Sequence, residues 1–490
     1  MKTRKICLLC FIMMLLLCAC SFSDVTDFLE TVGESMVEKL SDDSDDLSSL
    51  RGIVEPIPED EIRGQTSVED DLNRGSTDIA KQSSDENFSE EERVLVSGKT
   101  TETVDPKETE DAWKEALRGE VTVKGDDGQE ENAGSLNSNS TVEWKKGNTP
   151  LPEGCMTEAN SFYYNRLSEE DKLIYREILR GLLNLERAEL APSAEEAVDR
   201  VFKSVMFDHP EIFYVFGYNC TKEYLGKELQ HIYISGTMNI EPAEVQKRKL
   251  LIEEQTQSIL AELQNIQEPY EITKYLYRYI INNTEYDKHS VDNQNICSVF
   301  LNHRSVCSGY AKAFQYLMQK KGIQTGLIQG TVKGGNPHAW NMVLLDGEYY
   351  YVDVTWGDSS YNYEGQKAPE GVVPGVLYDY LCVTTAELCK THQIDPIVPI
   401  PVCVAEKNNY FRREGCYFTN IDEAGLQQVF AKGYGNNEAT VTIKCSDNSV
   451  YDGMVQYLVN EQKIFQYLQK TNGTVSYAGN KDMCSITFWL

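Results

Sequence analysis

Apolar residues recur at helical spacing in several segments of the chain, and shorter alternating segments lie between them. After Ser168, which suits a helix N-cap, Leu173, Ile178 and Leu182 fall on one helical face. The same pattern predicts further helices over 193–206, 243–267, 270–283, 307–322, 421–431 and 451–468. Strands are predicted over 233–238, 323–332, 342–345, 348–352, 439–445 and 484–490. This mixture predicts an α+β fold.

Changes in composition predict five parts of the chain. They are a signal peptide (1–19), a disordered acidic linker (20–150), a helical N-terminal region (151–265), a central core (266–395) and a small α+β C-terminal unit (396–490). A cluster of prolines, Pro396, Pro399 and Pro401, indicates the last boundary.

The first residues predict export. Basic residues precede an apolar run from Ile6 to Leu17, which is short for a membrane span and typical of a signal peptide. The run ends in Leu17-Cys18-Ala19-Cys20, which resembles a bacterial lipobox. By that resemblance Cys20 is the lipidated first residue of the mature protein, anchored at the outer side of the cell membrane. The alternative is an ordinary secretory signal cleaved nearby.

The charge of the chain is strongly acidic and uneven. The chain has 46 basic and 77 acidic residues, a net charge of −31. Residues 21–150 alone contain 34 acidic and 13 basic side chains and few aromatic ones. Such a segment cannot bury enough apolar surface to offset chain entropy, so we expect an unstructured spacer. The acidic balance also argues against nucleic-acid binding.

Cys307 begins a predicted helix within Ser305-Val306-Cys307-Ser308-Gly309-Tyr310-Ala311. The unpaired N–H groups and the dipole at a helix N-terminus lower the pKa of a thiol and favour the reactive thiolate. The competing interpretation is an ordinary buried cysteine. Cys297 is a rival nucleophile, but it lacks the small residues that follow Cys307.

A predicted hairpin places a histidine and a carboxylate on one face. Asp346-Gly347 is a tight turn signal, so Leu345 pairs with Glu348 and the register continues outward from there. His338 and Asp353 then become diagonal neighbours, about 7 Å apart at Cα. A carboxylate there can orient an imidazole and stabilise its protonated form. The alternative is a surface histidine and an aspartate that ends a strand.

Three motifs in this region resemble those of the transglutaminase-like superfamily, which is related to papain in fold. They are Cys-Ser-Gly-Tyr-Ala, His-Ala-Trp-Asn and Val-Asp-Val-Thr-Trp, and the resemblance extends from about Ile266 to Asp395. It implies a transglutaminase-like core with Cys307 as nucleophile, His338 as general base and acid, and Asp353 as the orienting carboxylate.

The resemblance implies an enzyme that acts on amide bonds of proteins or peptides through a thioester on Cys307. We favour a peptidase or amidase over a cross-linking acyltransferase, because transfer to an amine requires a site sheltered from water. The alternative is a surface binding module that keeps the fold without turnover. The acceptor and the oligomeric state are left open by the sequence.

Other residues carry weaker signals. Trp340 and Trp356 are candidates for contacting substrate or for the core, and so is Tyr286. Neither a zinc-type spacing of Cys and His nor a calcium loop occurs in the sequence, so we expect no metal ion and no cofactor. Setting aside Cys20 and Cys307 leaves nine cysteines after the signal peptide, so we expect at least one further thiol free or paired between chains.

Overall fold

The structure is a computed structural model of the chain. It describes residues 144–152, 155, 160–238, 240–358, 375–469 and 474–490, together with the backbone of three strands at 51–54, 119–124 and 130–132. The signal peptide and Cys20 lie outside the described residues, so both stay predictions.

The N-terminal part combines helices with a sheet. Ser168 caps the first helix as predicted, its hydroxyl accepting a hydrogen bond from the Asp171 N–H at 3.1 Å. The sheet has the strand order β3-β2-β6-β7-β5-β4. Its strands are β2 (Gly119–Lys124), β3 (Glu130–Asn132), β4 (Lys145–Lys146), β5 (Glu186–Leu190), β6 (Val215–Leu225) and β7 (Glu228–Met238), whereas β1 (Arg51–Val54) belongs to the sheet of the C-terminal unit. The helices are α1 (Glu169–Asn184), α2 (Val198–Asp208) and α3 (Pro242–Glu262).

The prediction of a helical region over 151–265 is therefore wrong in part. The long hairpin of β6 and β7 occupies its middle, and only the end of β7 is predicted from the sequence. Gly226, at φ +62° in the turn, allows the tight connection. Strands β1 to β3 fall within the expected spacer. Most of that segment lies outside the described residues, so the spacer stays a prediction.

The central core is a sheet of order β13-β12-β11-β10-β14 with the helix that begins at Cys307 packed against it. The predicted hairpin register is confirmed, from Leu345 opposite Glu348 to Asn341 opposite Val352. The elements are α4 (Pro269–Asn283), β8 (Glu285–Tyr286), α5 (Ile296–Phe300), β9 (Arg304–Ser305), α6 (Cys307–Lys320), β10 (Thr325–Val332), β11 (Pro337–Leu345), β12 (Glu348–Val352), α7 (Val354–Gly357), β13 (Leu381–Val383), α8 (Thr385–Leu388) and β14 (His392–Ile394).

The C-terminal unit is α+β, as predicted, with the strand order β1-β17-β18-β16-β15. It packs on α4 through ion pairs such as Lys274–Glu414 at 2.6 Å. It also packs on the segment that precedes β13, where the rings of Tyr378 and Tyr410 stack 3.8 Å apart. The predicted helix over 451–468 is broken, because Gln462 takes up a left-handed conformation at φ +57°. The elements are α9 (Tyr410–Glu414), β15 (Tyr417–Phe418), α10 (Glu423–Gly435), β16 (Thr440–Cys445), α11 (Asn448–Val455), β17 (Val475–Asn480) and β18 (Ser485–Trp489).

Among the helices of the described residues, none is both long enough and apolar enough to cross a membrane.

Candidate active site

Cys307 is the first residue of α6, where the sequence places it, and its side chain is partly exposed. The first turn of α6 is tightly packed on one side. A Cβ at Gly309 would lie 2.0 Å from Ser305 Oγ and 2.6 Å from Ser298 Oγ. These two hydroxyls bond each other at 2.6 Å. Gly309 thus lets the turn carrying Cys307 approach the residues that precede the helix.

Asn341 fixes α6 to the sheet. Its buried side-chain amide donates to the Ala311 carbonyl at 3.0 Å and to the Gly326 carbonyl at 3.4 Å. One bond reaches the second turn of the nucleophile helix and the other reaches β10. Asn341 therefore sets the position of Cys307 relative to the strand that carries His338, a role that sequence reasoning did not assign.

His338 and Asp353 meet at the end of the hairpin. His338 Nε2 lies 2.7 Å from Asp353 Oδ2, and both side chains are almost wholly buried. Strand β12 ends at Val352, and Asp353 caps the short helix α7, its Oδ1 accepting the Trp356 N–H at 3.0 Å. Both interpretations of Asp353 thus hold at once, since the carboxylate ends the strand and orients the histidine.

The electrostatics favour a charged Cys307–His338 pair. Burial opposes ionisation of Cys307, but the neighbouring imidazolium and the Ala339 N–H outweigh it, and the pKa of this thiol falls below its ordinary value. Burial likewise opposes the charged form of His338, yet Asp353 and the Cys307 thiolate raise the pKa of this imidazole to about 10. The pKa of Asp353 is lowered, because its two histidine partners more than offset the effect of its burial. Each charge thus favours the other, and the site favours a thiolate–imidazolium pair.

A second histidine, His392, lies in the site and escaped sequence reasoning. Its Nε2 lies 3.1 Å from Asp353 Oδ2, the oxygen that His338 also contacts. His392 begins β14, a three-residue edge strand paired with Val332 of β10. No turn signal fixes the register of such a short strand in the sequence, so nothing there points its side chain at Asp353.

The tryptophan candidates form the walls of the site. Trp340 is wholly buried, with its ring 6.0 Å from that of His338, so it packs behind the histidine. Trp356 is partly exposed and lies 5.9 Å from the His338 ring and 4.6 Å from the His392 ring. Tyr286 is buried in β8, with its ring 6.3 Å from that of Tyr310. Substrate contact by Trp356 or Tyr286 stays a prediction.

The remaining cysteines differ from Cys307. Burial raises the pKa of Cys297 to about 12, which disfavours its thiolate and argues against Cys297 as the nucleophile. Within the described ranges every cysteine is free, and most are buried; they are Cys155, Cys220, Cys297, Cys307, Cys382, Cys389, Cys403, Cys416, Cys445 and Cys484.

In the described part of the chain, one cluster of side chains has a spacing that a metal ion would accept. His338, Asp353 and His392 offer atoms within 4.8 Å of one another. The short contacts within it are both histidine–carboxylate hydrogen bonds, and we interpret the cluster as linked by protons. The expected absence of a metal ion stays a prediction.

Comparison with known proteins identifies the class of the core. Residues 257–354 match the family model of the transglutaminase-like superfamily, a range that contains Cys307, His338 and Asp353. The chain thus has a transglutaminase-like core within a mixed α+β structure.

Individual relatives match over short regions. The kyphoscoliosis peptidase of Mus musculus is 26% identical over 111 residues, which are 19% of this chain and 17% of that protein. The kyphoscoliosis peptidase of Homo sapiens is 36% identical over 62 residues, 10% of this chain and 9% of that one. A crystal structure of a TGase is 14% identical, with a TM-score of 0.22, over 32% of this chain and 54% of that chain. The chain therefore spans less than a fifth of the length of these curated relatives.

Proposed function

We propose that the protein is an exported cysteine-dependent enzyme that cleaves amide bonds of proteins or peptides through a thioester on Cys307. The observation that carries this proposal is the arrangement of Cys307 at a helix N-terminus beside His338, whose Nε2 is bonded to buried Asp353 at 2.7 Å. The lowered pKa of Cys307 supports it, since a packing cysteine would show the raised pKa of Cys297.

The first half-reaction follows from the charges of the pair. The Cys307 thiolate attacks the carbonyl carbon of a substrate amide, and the carbonyl oxygen becomes an oxyanion. The Cys307 N–H, unpaired at the helix start, is our candidate donor to that oxyanion. Since Nε2 of His338 is engaged by Asp353, its Nδ1 carries the proton that passes to the departing nitrogen. The C–N bond breaks, an amine or ammonia leaves, and a thioester remains on Cys307.

The second half-reaction restores the pair. Neutral His338 takes a proton from water, the resulting hydroxide attacks the thioester carbon, and the acid product leaves as the C–S bond breaks. Asp353 keeps its charge throughout and stabilises the imidazolium. We favour water as acceptor over an amine, and the peptidase name of the curated relatives agrees with that choice. An amine acceptor would make the same site a cross-linking acyltransferase.

We further propose that the enzyme is tethered by a lipid on Cys20 at the outer side of a bacterial membrane, with the acidic segment as a spacer. The apolar run before Cys20 and the lipobox-like Leu17-Cys18-Ala19-Cys20 support this proposal. Globomycin treatment of producing cells, with radiolabelled palmitate, tests it. Label that disappears in Cys20→Ser supports the anchor, and unlabelled full-length protein contradicts it.

The proposed reaction is tested with a protein substrate and a trapping agent. The full-length protein is incubated with casein, and new N-termini and released ammonia are measured with and without dansylcadaverine. We expect new termini or ammonia, and hydroxylamine should divert the acyl group to a hydroxamate. Dansyl incorporation would instead identify transfer. Cys307→Ser should lose every product, whereas Cys297→Ser, the matched control, should keep wild-type rates.

Absence of all products, combined with a Cys307 that titrates as an ordinary thiol, would favour the alternative of a surface binding module. Absence of products with a thiolate at pH 6 would instead show that casein is the wrong substrate. These two results separate an inactive site from an unidentified substrate.

A further inference from the structure

His392 is a buried polar residue that the proposed reaction does not use. Its side chain is wholly buried, and its Nε2 shares one carboxylate oxygen, Asp353 Oδ2, with His338 Nε2. The other oxygen, Oδ1, accepts the Trp356 N–H. The carboxylate that orients His338 is therefore held by three donors, and His392 is the side-chain donor that is not itself part of the reaction.

The hydrogen bonds of His392 continue on the side away from Asp353. An ionised carboxylate only accepts, so Nε2 of His392 presents its N–H to Asp353 Oδ2. Its Nδ1 lies 2.9 Å from Thr391 Oγ1, which lies 2.7 Å from the Tyr380 hydroxyl and 3.4 Å from the Leu388 carbonyl oxygen. Thr391 and Tyr380 thus hold the His392 ring from behind, with Nε2 turned toward Asp353.

Aromatic rings enclose this donor and keep it from substrate. The ring of His392 lies 4.9 Å from that of Trp340, 4.6 Å from that of Trp356 and 5.1 Å from that of Tyr380. Burying an imidazole among these rings costs more free energy than burying an apolar side chain, unless the imidazole is hydrogen-bonded. The hydrogen bond to Asp353 is therefore the feature that distinguishes His392 from a packing residue. His392 therefore acts on the reaction only through Asp353.

We infer that His392 is a positioning residue that holds the Asp353 carboxylate in the orientation His338 requires. The inference rests on the proposed function of Cys307. Without the His392 donor, His338 is the only side-chain partner of Asp353 Oδ2. The carboxylate is then held less firmly, and so is the His338 ring that it orients. A small misplacement of this kind lowers the rate of the chemical step and leaves substrate affinity alone.

Two substitutions separate positioning from packing. His392→Gln keeps an N–H donor at about the reach of Nε2, whereas His392→Leu fills the enclosure without a donor. The readout is the rate of Cys307 alkylation by iodoacetamide at pH 6 in the full-length protein, with casein turnover measured where it is found. His209→Leu is the matched control, because His209 is also buried and bonded to a carboxylate, Glu211, at 2.7 Å.

We expect His392→Leu to lower the alkylation rate of Cys307 about tenfold. It should lower kcat by a similar factor and leave KM unchanged. The alkylation rates of His392→Gln and His209→Leu should stay within about threefold of the wild-type rate. A rate for His392→Leu equal to or above that of His392→Gln would overturn the inference, since packing alone would then explain the residue. If His392→Leu fails to fold, Thr391→Val replaces it. A lower alkylation rate in Thr391→Val, with a wild-type rate in Thr391→Ser, which keeps the hydroxyl, supports the inference. A wild-type rate in Thr391→Val overturns it. A wild-type Cys307 that is unreactive at pH 6 would instead overturn the proposed function.

Discussion

Removing the charge of Asp353 tests the electrostatic description of the site in most detail. Asp353→Asn keeps the size of the side chain but replaces the carboxylate that raises the pKa of His338 to about 10. A charge pair about 4 Å apart at an effective dielectric constant of about 20 is worth about 4 kcal/mol. Because one pKa unit is about 1.4 kcal/mol, loss of the charge should lower the pKa of His338 by about 2–3 units.

The hydrogen bonds predict a second effect of Asp353→Asn. Both carboxylate oxygens accept in the wild type, Oδ1 from the Trp356 N–H and Oδ2 from His338 and His392. An amide must turn its NH2 group toward one of these sets of donors. At least one buried donor contact is therefore lost in either orientation, and the free energy of unfolding should fall by about 1–3 kcal/mol.

The assay is the pH dependence of Cys307 alkylation, followed by peptide mass. In the wild type, the rate should rise at low pH as the thiolate forms and rise again near pH 10 as His338 loses its proton and frees the thiolate. In Asp353→Asn the second rise should move to about pH 7–8. Asp208→Asn is the control, because Asp208 is a buried carboxylate bonded to the Tyr163 and Tyr164 N–H groups at 2.9 Å, away from this site. A second rise that stays near pH 10 in Asp353→Asn would refute the reasoning.

Three further predictions concern activity and stability. Cys307→Ala should abolish turnover while the melting temperature changes by no more than a few degrees. A large fall in the melting temperature would make Cys307 a packing residue. Gly330→Ala should lower activity and destabilise the fold by about 1–3 kcal/mol, because its Cβ would lie 1.9 Å from the Gln393 carbonyl beside the second histidine. Urea denaturation should show no such loss for Gly453→Ala, where a Cβ meets nothing within 4 Å. His209 has a raised pKa, since its carboxylate neighbours outweigh burial, so its stabilisation is full below about pH 6.5 and lost as pH rises through the folded pKa. The difference in unfolding free energy between wild type and His209→Gln should therefore be larger at pH 5.5 than at pH 8.5, and equal differences would contradict it.

Local signals in the sequence are sufficient to predict that His338 and Asp353 lie together on the hairpin. The Asp346-Gly347 turn fixes the register of β11 and β12, and a strand repeat of two then decides which side chains share a face. These two local features pair His338 with Asp353 from the sequence alone. Cys307 could be placed because a helix start is a local feature of the chain.

Long-range contacts were beyond the reach of the same reasoning. His392 lies beside Asp353 only because β14 pairs with the edge of β10, and no turn motif in the sequence predicts that pairing. The hairpin of β6 and β7 was missed in part because its first strand alternates imperfectly between buried and exposed positions. The close contacts of Gly309 with Ser298 and Ser305 are likewise known only from the fold.

The most direct test of the whole account is the ionisation of Cys307 in the unmodified full-length protein. Iodoacetamide alkylation of this residue is measured from pH 4 to pH 11, with Cys297 as an internal reference in the same peptide digest. The account predicts rapid alkylation of Cys307 at pH 6, more than two units below the free thiol pKa of about 8.5, and little of Cys297. A Cys307 rate that rises only near pH 8.5–9 would show a resting thiol and contradict the proposed enzyme.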